Sequence, residues 1–165
     1  FAFDIPSNQF SEAKEWALQR VTLSNEDGKD DVYFENIQAH SLYFEDPAGN
    51  IVEFICRTQD NPKSEIPFSI NNILQMSEMS LVVENKVKVA EELKKAGIIE
   101  RNGEEIDPAG LNFMSDKSGS VFLLLVAPNR RWYFSKKDAV IFPMTITLEN
   151  DIKLGIDENS QFFLI

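Results

Sequence analysis

Apolar residues alternate over Phe1–Ile5 and then recur at helical spacing as Phe10, Ala13, Trp16 and Ala17. The first pattern predicts a strand ended by Pro6. The second predicts a helix from Ser7, a residue type that caps helix N-termini, to about Gln19. Val21–Leu23 and Val32–Phe34 predict two short extended pieces. Between them, residues 25–31 hold four carboxylates in seven positions. They lack the spacing of a calcium-binding loop and read as a solvated loop. Residues 40–57, HSLYFEDPAGNIVEFICR, predict a β-hairpin. Two runs rich in aromatic and β-branched residues, Ser41–Phe44 and Ile51–Ile55, flank Asp46-Pro47-Ala48-Gly49-Asn50, in which Asp46, Pro47, Gly49 and Asn50 favour a turn.

The pattern then repeats. Residues 58–72 are polar, carry Pro62 and Pro67, and read as part of a linker over 59–75. Glu78–Val83 predicts a strand. Asn85 caps a predicted helix to Ala96, with Val87, Ala90, Leu93 and Ala96 on one face and Gly97 as its stop. Ile98–Glu100 follows as a short strand, 101–110 as a loop and 111–127 as a second hairpin. Tyr43 meets Phe113 at an offset of 70 residues; at the same offset Asp46 meets Asp116, Gly49 meets Gly119 and Glu53 meets Leu123. The expected organisation is a first βαβββ module over 1–58, a second over 76–127 and an extension over 128–165 with one extra strand at Ala139–Leu148. Pro143 marks that strand as an edge or bulge. An internal duplication of this kind decides the architecture before any single element does.

Glu53 interrupts the strand logic. It shares a face with Ile51 and Ile55 by alternation, and a carboxylate there is costly unless that face is wet or uses the charge. It occurs in only one of the two copies.

Composition narrows the partners. The 165 residues are 43% hydrophobic, enough for a sizeable core. The formal charge of −11 argues against nucleic-acid or anionic-membrane partners. A single cysteine, Cys56, excludes an internal disulfide and points to a reducing, cytoplasmic compartment. No run approaches the ~18 apolar residues of a membrane helix. The sequence opens Phe-Ala-Phe without methionine and reads as one entered partway.

Two tandem βαβββ units, each ending in a D-x-x-G-[NS] hairpin, resemble the vicinal oxygen chelate superfamily, and YFEDPAGNIVEF is close to its most recognisable stretch. The superfamily includes glyoxalase I, extradiol dioxygenases and the fosfomycin- and bleomycin-resistance proteins. The resemblance covers about residues 1–127. It implies an α+β fold in which the paired modules form a curved, cup-like mixed sheet with helices outside, and it allows a homodimer. It implies that Glu53 is the fourth-strand metal ligand of the first module, with Leu123 standing where the second module would place one. The first-strand ligand position falls just before Phe1, and its counterpart in the second module is Glu78. Tyr43 stands ten residues before Glu53, as the dioxygenase tyrosine does before its metal glutamate. His40, the only histidine, stands closer to that tyrosine than the dioxygenase pattern expects.

Each residue also has a plain reading. Glu53 is a solvated carboxylate kept from ancestry, Glu78 an edge-strand charge, His40 a satisfied histidine at a strand start, and Tyr43 a core aromatic. Arg130, Arg131 and Trp132 are a solvated loop or a grip for an anionic or flat ligand. Two functions follow from the resemblance. One is a lyase, isomerase or transferase acting on a small oxygen-rich substrate through a divalent zinc, nickel, manganese or iron ion. The other is a metal-free binder of a small antibiotic-like molecule. An iron dioxygenase needs two histidines and a carboxylate and is the least supported.

Overall fold

A computed structural model describes residues 1–116, 119, 121–148 and 151–165, with only the backbone at position 102. The chain forms two compact units. The first comprises residues 1–78 with 133–135, and the second 79–132 with 136–165.

The first unit contains β1 (Ala2–Asp4), α1 (Phe10–Leu18), β2 (Asp31–Phe34), β3 (Ala39–Glu45), β4 (Ile51–Arg57) and the opening residues of β5 (Gln75–Val82). Its strands lie in the order β2-β3-β4-β1-β5, parallel only where β1 meets β4. This is the expected βαβββ module. One face of its sheet packs on α1: Leu42, Phe54, Cys56 and Ile5 close on Ala13 and Ala17, all at or near full burial. Each buried side chain the size of Leu or Phe contributes roughly 1.5–3 kcal/mol.

Several boundaries differ from the sequence reading. The helix begins at Phe10 with Gln9, not Ser7, at its cap position, and no side chain caps it. Ser7 lies outside because its backbone N–H donates to Pro62 O at 3.0 Å. Residues 59–75 are not a free linker. Phe68 joins the core against Trp16 and Phe54, and Gln9 Nε2 donates to Ile66 O at 2.6 Å. Val21–Leu23 forms no strand beyond one isolated bridge between Leu23 and Phe44.

The hairpin turn follows its residue types. Asp46 Oδ1 accepts from the N–H groups of Ala48 (2.9 Å) and Asn50 (2.8 Å), and Gly49 takes φ +82°. A side chain at Gly49 would be strained there.

The second unit continues β5 and adds α2 (Lys86–Lys95), β6 (Ile99–Glu100), β7 (Asn112–Ser115) and β8 (Phe122–Val126), in the strand order β5-β8-β7-β6. Asn85 caps α2 as expected, its Oδ1 accepting from Lys88 N at 2.9 Å. In the second hairpin turn Lys117, Ser118 and Ser120 lie outside the described residues. Gly119 repeats the left-handed conformation at φ +65°, and its N–H donates to Asp116 O as Gly49 does to Asp46 O.

The strand register corrects the offset. Tyr43 pairs with Glu53, whereas Phe113 pairs with Leu124 and Met114 with Leu123. The second hairpin has therefore slipped by one residue on β8, and Leu124 rather than Leu123 is the counterpart of Glu53. A one-residue slip exchanges the two faces of a strand. Leu123 and Leu125 accordingly pack with Leu93 of α2, while Phe122, Leu124 and Val126 face the other way.

The extension holds three strands rather than one: β9 (Met144–Thr147), β10 (Lys153–Ile156) and β11 (Phe162–Leu164), an antiparallel sheet in the order β11-β10-β9. Leu154 and Ile156 join the core around α2. Glu149 and Asn150 lie outside the described residues, and β9 begins only after Pro143.

Replacing Asp46 with alanine removes acceptors from both hairpin N–H groups. We expect the midpoint of urea unfolding to fall with the slope unchanged. An unmoved midpoint would show that water replaces these bonds at no cost.

Candidate functional site

Alternation along β3, β4 and β1 sends Tyr43 and Ser41, Glu53 and Arg57, and Ala2 and Asp4 to the sheet face away from α1. Register aligns them. Tyr43 pairs with Glu53, Glu53 lies level with Ala2, and Ala2 pairs with Glu78. The structure thus brings Tyr43, Glu53 and Glu78 into one row across four strands, with Ala2 between the two carboxylates.

A β-bulge aims the last of these groups. The β1–β5 register jumps from Ala2↔Glu78 to Phe3↔Met76, leaving Ser77 as the extra residue. A bulge turns neighbouring side chains toward the same side. Ser77 and Glu78 both reach Arg57, whose Nη2 donates to Ser77 Oγ at 3.1 Å and to Glu78 Oε1 at 2.7 Å. Arg57 Nε lies 3.4 Å from Asp4 Oδ1. Asp4 is held in turn by Asn61 Nδ2 and Gln75 Nε2, each at 3.1 Å. Asp4, Arg57, Ser77 and Glu78 are all buried.

The two glutamates are treated differently. Burial pushes Glu78 above the usual carboxylate range, and the Arg57 guanidinium opposes that shift. Among the described residues no arginine pairs with Glu53, and the cation that acts on it is the Phe1 ammonium. Its carboxylate accepts from the Tyr43 hydroxyl at 2.9 Å, and its proton affinity is pushed up to about 7, first by desolvation and then by the charge of Glu78. Ser41, fully buried beside it, favours the charged form without a hydrogen bond of normal geometry. Burial and the neighbouring Glu53 charge raise the Tyr43 phenol far above its ordinary value, so Tyr43 remains a donor.

Aromatic rings fix Tyr43. Phe134 stacks on it at 5.0 Å and Tyr133 meets it edge-on at 6.1 Å. Phe134 adopts φ +53° while only 3% exposed, a conformation rare for a bulky residue and held here by burial of the ring.

His40 lies apart from this row. It points to the α1 face, its ring 4.7 Å from Phe10 and 4.5 Å from Tyr33. Arg57 and Asp4 are the site residues that the sequence reading missed. A single cation ending the apolar run Ile51–Cys56, on the same face as Glu53, was the available signal. The cluster 130–134 does contribute, through Tyr133 and Phe134 rather than its arginines.

The row joins Tyr43, Glu53 and Glu78, the residues that the sequence resemblance singles out, on a module of βαβββ topology. The sequence profile of the toxoflavin-degrading enzyme family matches residues 76–130. Among solved structures, the chain is similar to a mutant glyoxalase I from Zea mays, with 12% identity and a TM-score of 0.51 over 99% of this chain and 65% of that one. It thus spans just under two thirds of that protein's length, and the likeness is one of fold. A YycE protein of unknown function from Bacillus subtilis aligns at 17% identity over 76% of this chain and 86% of that one, and its TM-score of 0.27 carries no argument. No curated protein sequence matches significantly. The chain shares an α+β fold with glyoxalase I. A third of the chain matches the profile of the toxoflavin-degrading enzyme family.

Among the described residues no helix is long and apolar enough to cross a membrane.

The position of Glu53 sets a pH dependence. Unfolded, its carboxyl has the ordinary value of 4.5; folded, about 7. Between these values the folded chain keeps a proton that the unfolded chain releases. The stability it contributes is complete below pH 4.5 and is lost as pH rises through 7. Glu53→Gln should flatten that slope and exceed the parent protein above pH 7 by about 1–3 kcal/mol. Urea unfolding with chelator present, from pH 4.5 to 8, reads this directly. An unchanged slope in the variant would assign the titration to another group.

Proposed function

We propose that the Tyr43–Glu53–Glu78 row is a glyoxalase-type reaction centre that moves a proton on a small oxygen-rich substrate, with Glu53 as the acid–base group. One observation carries this reading. A half-buried carboxyl that titrates near neutrality, with a fixed phenol donating to it, is what proton transfer at physiological pH requires, because a base is most effective when its affinity lies near the working pH. The proton passes from a carbon beside a carbonyl to Glu53 Oε and returns to a neighbouring atom of the substrate. Tyr43 holds the carboxylate in one orientation while it is charged. Arg57 lies against both Asp4 and Glu78 and offsets part of their charge beside Glu53. A small molecule is also the partner that a net charge of −11 favours over nucleic acid or a membrane surface.

The donor set does not by itself make a metal centre. Glu53 and Glu78 face the same side, but Ala2 stands between them and Glu78 is engaged by Arg57. No group of three His, Cys, Asp or Glu side chains placed to hold an ion occurs among the described residues. A divalent ion held through Glu53 is the second reading, favoured by the position of that carboxylate on β4. A metal-free binding module is the third, and it predicts no proton exchange at all.

Deuterium incorporation into hydroxyacetone and into methylglyoxal–thiol adducts, followed by NMR in D2O, separates these readings. The full chain should catalyse exchange, and Glu53→Gln should lower the rate by about 10²–10⁴-fold, with Tyr43→Phe affected less. Exchange at the same rate in both proteins removes the acid–base role.

Elemental analysis of the same samples tests the ion. The acid–base reading expects no stoichiometric metal, and exchange should survive a chelator. About one divalent ion per chain, lost in Glu53→Gln, would establish the second reading in its place.

A further inference from the structure

On the sheet face that carries Glu53, Ser41 is fully buried, and its Oγ has no hydrogen-bond partner among the described residues. A buried hydroxyl in that state has given up its bonds to water and received none in return. Native structures hold few such groups.

The strand register shows which group it can serve. Ser41 stands two residues before Tyr43 on β3, so both side chains leave the strand on the same side. The residues directly opposite it are apolar, Ile55 on β4 and Val32 on β2. Its diagonal neighbours on β4 are Glu53 and Arg57, because Tyr43 pairs with Glu53 and Ala39 with Arg57. Diagonal neighbours lie about 7–8 Å apart, a span that a long side chain closes. An arginine carries donors only, and Arg57 turns its own to Ser77 and Glu78. Glu53 is the acceptor within reach, and the Ser41 hydroxyl acts on it in the direction that favours the charged carboxylate. Tyr43 already donates to Glu53 Oε1 at 2.9 Å. One donor leaves a carboxylate free to turn about its last bond, whereas a second donor from the same strand fixes its plane.

We propose that Ser41 is a positioning residue for proton transfer: when Glu53 is charged, the Ser41 hydroxyl turns to donate to it and, with Tyr43, holds the carboxylate toward the substrate. This role rests on the acid–base reading of Glu53. Ser41 itself does not touch the substrate. Its hydroxyl is unfavourable in the resting fold and favourable in the reaction, and the two effects can be measured separately.

Ser41→Ala separates them. At about pH 5, where the folded chain keeps the Glu53 proton, the urea midpoint of the variant should equal or exceed that of the parent protein, because a buried hydroxyl without a partner has been removed. In deuterium exchange into hydroxyacetone, followed by NMR over a range of substrate concentrations, kcat should fall about tenfold with KM unchanged, as expected for one lost hydrogen bond to a charged group. A lower midpoint would mean that the hydroxyl is already bonded in the resting fold. A higher KM would mean that it binds substrate, and an unchanged kcat that it never serves Glu53. Each of these overturns the positioning role. Glu53→Gln run alongside keeps the two readings apart. Exchange lost in Glu53→Gln but intact in Ser41→Ala removes the role of Ser41 alone. No exchange in the parent protein, or full exchange in Glu53→Gln, removes the acid–base reading and the role of Ser41 together.

Discussion

The ionic cluster of Asp4, Arg57 and Glu78 is the constraint on which the first unit depends. Three charged side chains from β1, β4 and β5 are buried together, and burial of charge is tolerated only with close pairing and hydrogen bonds. The guanidinium meets both needs by reaching Glu78, Ser77 and Asp4 at once. Removing one member of such a cluster typically costs about 3–5 kcal/mol, because the charges left behind have no partner. The Ser77 bulge is the backbone adjustment that makes this geometry possible. With regular pairing, Ser77 and Glu78 would point to opposite faces and Arg57 could engage only one of them.

That cluster also explains why two glutamates in one row behave differently. Glu78 has the Arg57 guanidinium, which opposes the rise that burial imposes on it. Glu53 has a phenol and a hydroxyl as neighbours and, among the described residues, no arginine paired with it. Desolvation and the field of Glu78 then act on it in the same direction. The Phe134 ring on Tyr43 completes the arrangement. Its left-handed backbone costs on the order of 1–3 kcal/mol, and burial of the ring against Tyr43 offsets it. The result is a phenol whose hydroxyl donates to Glu53.

Much of this was legible in the sequence. The alternation of Ile51–Ile55, the Asp46–Asn50 turn and the Asn85 cap each have a local cause, and the structure repeats them. The face of Glu53 was likewise readable, because period-2 alternation needs no tertiary information. What could not be read depends on pairing between distant segments. The Ser77 bulge is a property of the β1–β5 register, so Glu78 appeared as an edge charge and Arg57 as the end of a strand. The N-terminus of α1 moved from Ser7 to Phe10 because Ser7 pairs with Pro62, 55 residues away. Trp132 drew the eye in the 130–134 cluster, yet its neighbours Tyr133 and Phe134 do the packing on Tyr43.

The slip of one residue in the second hairpin shows how duplicated units diverge without losing their fold. Both turns keep an aspartate whose carbonyl accepts from a left-handed glycine three residues on, so the chain reverses in the same way. The slip nevertheless exchanges the faces of β8. Leu123, aligned with Glu53 by sequence, packs on the α2 side with Leu93, where an uncompensated carboxylate would be expelled into a core. The structural counterpart of Glu53 is Leu124, within the cluster of Phe122, Val126 and Ala139. Arg101 lies over Phe122 of that cluster, its guanidinium carbon 5.0 Å from the ring centroid. The residue paired with Leu124 is Phe113, which has no hydroxyl where Tyr43 has one. The carboxylate of this row thus occurs in one copy only, where the bulge at Ser77 and the Tyr43 phenol surround it.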